Sequence, residues 1–188
     1  MAGPRNFDPI RLDVEAFIKA EEALASAWPL GELPRLQEAS MPGAESAGER
    51  RVDWQARGEL RAQRAGEPEL WLRLTARVSL ALQCQRCLQP VETPVEVDRM
   101  IRFVRGEEAA AELDEQIDDD VLALQRSLDL RELIEDELLL ALPLVPRHEV
   151  CPAPLPMTAG EIEASAPTED AAHPFAALAA LKRDKRLN

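Results

Sequence analysis

The clearest pattern in the chain is an alternation of period two. Leu70, Leu72, Leu74, Ala76, Val78, Leu80, Leu82 and Cys84 fall on one face, with Trp71, Arg73, Thr75, Arg77, Ser79 and Gln83 on the other. A helix repeats its apolar positions every three or four residues, so a run of this length predicts a strand. After Cys84-Gln85-Arg86-Cys87 and a break at Pro90, the alternation resumes through Val91, Thr93, Val95, Val97, Ile101 and Phe103. Two long strands joined by a short turn predict an antiparallel pair. Val52-Asp53-Trp54-Gln55-Ala56 alternates as well and adds a third strand. The expected sheet is a meander, apolar on one face and wet on the other.

The flanking segments read differently. Residues 13–27 predict an amphipathic helix: Asp13 is its N-cap, Phe17, Ile18, Leu24 and Ala25 share a face, and Pro29 lies just beyond its end. Pro34 to Gly48 reads as a loop with a short strand around Leu36, and 106–120 as an acidic loop before a strand within 121–128. Asp129-Leu130-Arg131-Glu132 fits a capping box, and Leu130, Leu133, Ile134, Leu138 and Ala141 form the stripe of a helix over 129–142. The predicted fold class is α+β, an antiparallel, curved meander sheet packed against that helix, with the N-terminal helix at one edge. Residues 1–151 are expected to form the domain, 152–173 a Pro/Ala/Glu-rich linker, and 174–188 a short basic helix. Phe175, Leu178 and Leu181 line one side of that last helix, which either folds back or docks into a partner.

Composition narrows the class. At 188 residues and 46% hydrophobic, the chain can bury a core. No apolar run approaches the ~20 residues of a membrane span. The opening MAGPRNFDPIRLD is too polar for a secretory signal, so three cysteines imply a reducing compartment. A cytoplasmic protein without membrane contact is expected.

Charge sharpens the picture further. The chain carries 22 Lys+Arg against 35 Asp+Glu, a net −13 that counts against autonomous, tight binding of phosphate backbones. Residues 106–170 hold 18 of the acids and only Arg126, Arg131 and Arg147, so the remainder is about neutral. Asp114, Glu115, Asp118, Asp119 and Asp120 lack the spacing and turn glycine of a calcium loop. They read as a solvated segment or as an electrostatic lure for a basic partner, with ribosomal proteins the obvious class.

One constellation could hold a metal. Cys84 and Cys87 have the C-x2-C spacing, and His148 and Cys151 supply H-x2-C right after the helix that should cover the hairpin. A Cys3His set suits one tetrahedral, structural zinc ion; the alternative is a group of small cysteines in a reduced core. A redox role fits less well, because such thiols work from a helix N-terminus. No phosphate-cradling loop, nucleophile elbow or other active site stands out, so no catalytic residue is assigned. The strand face bearing Trp71, Arg73 and Arg77 offers a stacking and phosphate platform for RNA, or simply a solvated sheet face with one tryptophan under the N-terminal helix.

Three segments together carry a resemblance: 84–90 (CQRCLQP), 129–148 (DLRELIEDELLLALPLVPRH) and 173–182 (HPFAALAALK). In these the chain resembles the YceD family of large ribosomal RNA subunit accumulation proteins of bacteria and plastids. The resemblance implies a non-enzymatic role in the synthesis, processing or stability of 23S ribosomal RNA. With the acidic segment, that role gives as expected partners ribosome-assembly or rRNA-processing proteins, and the net charge makes any rRNA contact indirect or weak. Direct RNA binding by the Arg/Trp face, or a zinc-dependent enzyme, are the alternative functions.

Overall fold

A computed structural model describes residues 6–42, 50–64 and 66–152. The linker and the C-terminal helix expected beyond 152, with Phe175, Leu178 and Leu181, lie outside the described residues. Five strands form one sheet in the order β1 (Ala23–Pro29), β2 (Arg51–Arg61), β3 (Glu69–Gln83), β4 (Pro90–Val104) and β5 (Asp120–Ala123). The first four run antiparallel in succession, and β5 joins β4 in parallel. The parallel step requires a crossover, supplied by α3 (Glu107–Asp114).

The alternation of β3 fixes what lies on each face. Leu72, Leu74 and Leu80 are fully buried, opposite Ile101, Arg99 and Thr93 of β4. Onto this face pack α1 (Val14–Lys19), α2 (Pro34–Ala39) and α4 (Leu130–Leu140), contributing Phe17, Ile18, Leu36, Leu130, Ile134 and Leu138. Asp129 caps α4 as expected, its Oδ1 accepting from the N–H groups of Arg131 and Glu132 at 2.9 and 3.2 Å. Glu135 of α4 is buried and caps a different helix: its Oε1 accepts from the Leu36 N–H at 3.1 Å and its Oε2 from Arg35 Nε at 3.0 Å. The N-terminal turn of α2 is therefore satisfied from across the core.

Four elements differ from their sequence reading. The helix expected over 13–27 stops at Lys19. Glu21 takes a left-handed φ of 50°, and Ala23–Pro29 becomes the edge strand β1. Its residues favour helix individually, but pairing with β2 and the stacking of Trp28 on Trp54 (4.4 Å between centroids) override local propensity. The stretch around Leu36 is a helix begun by Pro34 and not a strand. Much of the acidic loop is α3, whose Ala110 packs with Val121 and Ala123 on the opposite side of the sheet from the main core. The strand expected within 121–128 runs over Asp120–Ala123, beginning one residue before that range.

The layers approach closely at Gly58 in β2. A methyl group added there would lie 2.6 Å from Ile18 Cα and 3.0 Å from the Phe17 carbonyl oxygen. Both obstacles are backbone, so relief needs α1 to move off the sheet. Gly58→Ala should lower unfolding free energy by about 1–3 kcal/mol, whereas Gly31→Ala, where the nearest atom is 4.0 Å away, should change it little. Urea denaturation of both variants checks this.

Candidate metal centre

The β3–β4 turn is held by its own backbone. The Cys84 N–H donates to the Gln89 carbonyl and the Leu88 N–H to the Cys84 carbonyl, both at 2.9 Å. Leu88 adopts a positive φ of 60°, which tightens this knuckle. The chain leaving α4 is then pinned against it: the Gln85 N–H donates to Pro146 O at 2.9 Å, and the Arg86 guanidinium donates to the carbonyls of His148 and Glu149.

This brings together the four residues singled out by spacing. The ligand atoms of Cys84, Cys87, His148 and Cys151 lie within 4.8 Å of one another. A zinc tetrahedron with Zn–S of about 2.3 Å has edges of about 3.8 Å, so the widest pair need close by only about 1 Å. Cys87 Sγ is 3.4 Å from His148 Nδ1, and His148 Nε2 is 3.0 Å from the Pro90 carbonyl. A carbonyl only accepts, so Nε2 carries the proton and Nδ1 presents its lone pair to the three sulfurs.

The electrostatics favour a cation there. The Cys87 N–H points at Cys84 Sγ and, aided by the N–H groups of His148 and Arg86, holds that thiol down at about 5 against the opposing effect of burial. Burial, followed by the nearby Cys87 and Cys84, pushes the Cys151 thiol up. The donor set fits zinc, and an ion held by all four residues would have no open position for substrate.

The remaining candidate residues are scattered. Asp114 ends α3, Glu115 caps it, and Asp118, Asp119 and Asp120 lead into β5; all are exposed. The Arg/Trp face departs from its reading at Trp71, which is buried at 3% exposure. The cover is not the N-terminal helix, which packs on the other face. The Arg61 guanidinium lies 4.1 Å over the indole ring, Arg102 stands at 5.9 Å, and Trp71 Nε1 donates to Glu69 at 2.8 Å. Arg73 pairs with Asp98 at 2.8 Å and Arg77 with Asp53 at 3.3 Å. The RNA-platform alternative needs this indole face open for stacking, and the protein itself occupies it. Nothing local in the sequence marks Glu135 or Arg86, since one reads as an ordinary helix acid and the other as a turn residue.

Fold and site together define an α+β protein with a Cys3His knot, compatible with zinc, at the tip of its longest hairpin. A family model described as "Large ribosomal RNA subunit accumulation protein YceD" matches residues 72–182, more than half of the chain and inclusive of all four knot residues, and the chain belongs to that family. The description names a role in ribosomal RNA accumulation and not a reaction. No solved structure matches the chain. Among the described residues no helix is long and apolar enough to cross a membrane.

Metal analysis of protein purified without added metal should find one zinc per chain. Cys87→Ser or Cys151→Ser should lose it, and chelator should lower the melting temperature of wild type. Protons compete for Sγ and Nδ1, so zinc affinity should fall as pH falls. Purified wild type with no zinc, and no thiolate-to-cobalt absorption on adding Co(II), would rule the centre out.

Proposed function

We propose that the chain supports the accumulation of 23S ribosomal RNA as a non-enzymatic assembly factor, acting through contacts of its acidic segment with a basic partner protein. One observation carries this reading. Glu107, Glu108, Glu112, Asp114, Glu115, Asp118, Asp119 and Asp120 are all exposed, and none forms an ion pair among the described residues. Several acids elsewhere in the domain are paired with arginine, as at Arg50–Glu92, Arg73–Asp98, Arg99–Glu137 and Arg102–Glu69.

Placement adds to this. Glu107 and Glu108 suit the positive end of α3, but Asp114 and Glu115 crowd its negative end with no base in the last turn. Each such charge costs about 0.3–1 kcal/mol, which a basic partner would reverse on binding. The family's ribosomal role supplies the setting, because ribosome assembly brings basic proteins onto rRNA. In this reading the Cys3His knot is a structural zinc site that ties the end of α4 to the hairpin. Residues 1–151 form the domain, 152–173 a tether, and the basic segment 174–188 a second contact through Phe175, Leu178 and Leu181. The paired arginines and covered Trp71 favour protein contact over RNA contact, and the four-ligand donor set favours scaffold over enzyme.

A variant with all eight acids changed to Asn or Gln should fold normally, lose partner recovery in pull-downs and fail to restore 23S rRNA levels in cells lacking the protein. Full restoration by that variant would refute the mechanism. Retardation of rRNA fragments by pure wild type, lost in Arg73→Ala/Arg77→Ala, would favour RNA contact instead.

A further inference from the structure

Six large apolar side chains are exposed among the described residues, and five of them belong to the two segments that the Cys3His knot ties together. Leu88 stands in the β3–β4 turn, Leu140 ends α4, and Leu144, Val145 and Val150 follow in the chain leaving it. Leu144 is 99% exposed and Val150 86%. Scattered apolar residues on a surface are ordinary, but five on two adjoining segments mark a contact surface.

The backbone that carries them is held in place. The Gln85 N–H donates to Pro146 O at 2.9 Å, the Arg86 guanidinium donates to the carbonyls of His148 and Glu149, and His148 turns inward to Cys87 and the Pro90 carbonyl. The irregular segment after α4 is thus ordered before any partner arrives, which lowers the entropic cost of contact.

The polar residues beside the apolar ones select the partner. On either side of the inward-turned His148 stand Arg147 and Glu149, both exposed and neither in an ion pair among the described residues. A rim of one sign would call for a partner of the other sign, whereas this rim carries both, two residues apart. Where two such segments cross antiparallel about a two-fold axis at residue 148, Arg147 of each copy meets Glu149 of the other. A basic partner would instead face Arg86 and Arg147, and a phosphate backbone would gain nothing from the five apolar side chains. The net −13 opposes the pairing only weakly. The acids of 107–120 follow the far end of β4, whose 15 residues span about 45 Å, several times the ~8 Å over which salt screens charge.

We infer that the chain forms a two-fold homodimer through the tip of the knot, with Leu88, Leu140, Leu144, Val145 and Val150 at its centre and reciprocal Arg147–Glu149 pairs at its rim. An apolar centre with a polar border is the usual anatomy of such contacts. The joint uses none of the 107–120 acids and leaves one acidic segment at each far end, so a dimer offers a basic partner two contacts. Dimer and partner contact can therefore fail separately.

Sedimentation velocity of the full chain, with zinc supplied and over a wide range of concentration, should show a reversible monomer–dimer equilibrium. Leu144→Asp should raise the dissociation constant at least about tenfold. A side chain 99% exposed supports nothing within the monomer, so the melting temperature of the dilute protein should stay unchanged. Arg147→Glu and Glu149→Arg should each weaken the dimer severalfold. The double exchange Arg147→Glu/Glu149→Arg should recover it, because the pairs re-form across the axis with their signs reversed. The variant lacking the eight acids of 107–120 should still dimerise. A monomer at every concentration, with another segment of the chain or a different protein as occupant of the tip, would overturn the inference. So would a dimer indifferent to Leu144→Asp, a double exchange that recovers nothing, or a dimer lost with the 107–120 acids.

Discussion

The structure depends on the unbroken pairing of β3 with β4, from Leu70↔Phe103 at one end to Gln83↔Pro90 at the other. A slip of one residue would exchange the two faces and bury Arg73 and Arg77 in place of Leu72 and Leu74. Everything with functional promise follows from this register. It sets the leucine face on which α1, α2 and α4 close the core. It places Cys84 and Cys87 in a turn short enough to chelate, and it aligns Arg73 with the acids that neutralise it. The far end of the hairpin extends β4 to where β5 and its acidic approach can join.

The distribution of charge separates scaffold from contact surface. Across the open sheet face, several acids and arginines stand on neighbouring strands and satisfy one another, as Arg73 does Asp98 and Arg77 does Asp53. The Arg73 hydrogen bond holds the Asp98 carboxyl below the usual range, and that of Arg50 does the same to Glu92. Such exposed pairs contribute little each to stability, but they leave the face nearly neutral and unattractive to phosphate. The 107–120 segment has no such partners. Its net negative charge projects from a helix and turn anchored only by Ala110, Val121 and Ala123 with their neighbours. A rigid, internally paired sheet beside an unpaired acidic rim suits a protein that serves ribosomal RNA through another protein.

Much of this was legible in the sequence, for physical reasons. Period-two patterning over β3 and β4 is long enough to exclude a helix, and the capping box at Asp129 marks the start of α4 to the residue. The Cys3His set was found by spacing alone, because a tight turn forces the C-x2-C pair together and the end of a covering helix returns to that turn. What the sequence hid is tertiary. Ala23–Pro29 looks helical until β2 offers its backbone, and Trp71 looks exposed because nothing local announces that Arg61 and Arg102 will cover it. Glu135 looks like a surface acid, yet it caps α2 across the core. Pro90 reads as a break, though its carbonyl sets the tautomer of His148.

In the proposed function the acidic segment touches protein while the sheet face leaves RNA alone. Zero-length carbodiimide crosslinking in growing cells, followed by mass spectrometry, tests it most directly by joining carboxylates only to amines in contact. The account predicts crosslinks from residues 107–120 to lysines of a basic ribosome-assembly or ribosomal protein. It would be contradicted if those carboxylates joined no partner while ultraviolet crosslinking attached 23S rRNA to the face carrying Arg73 and Arg77.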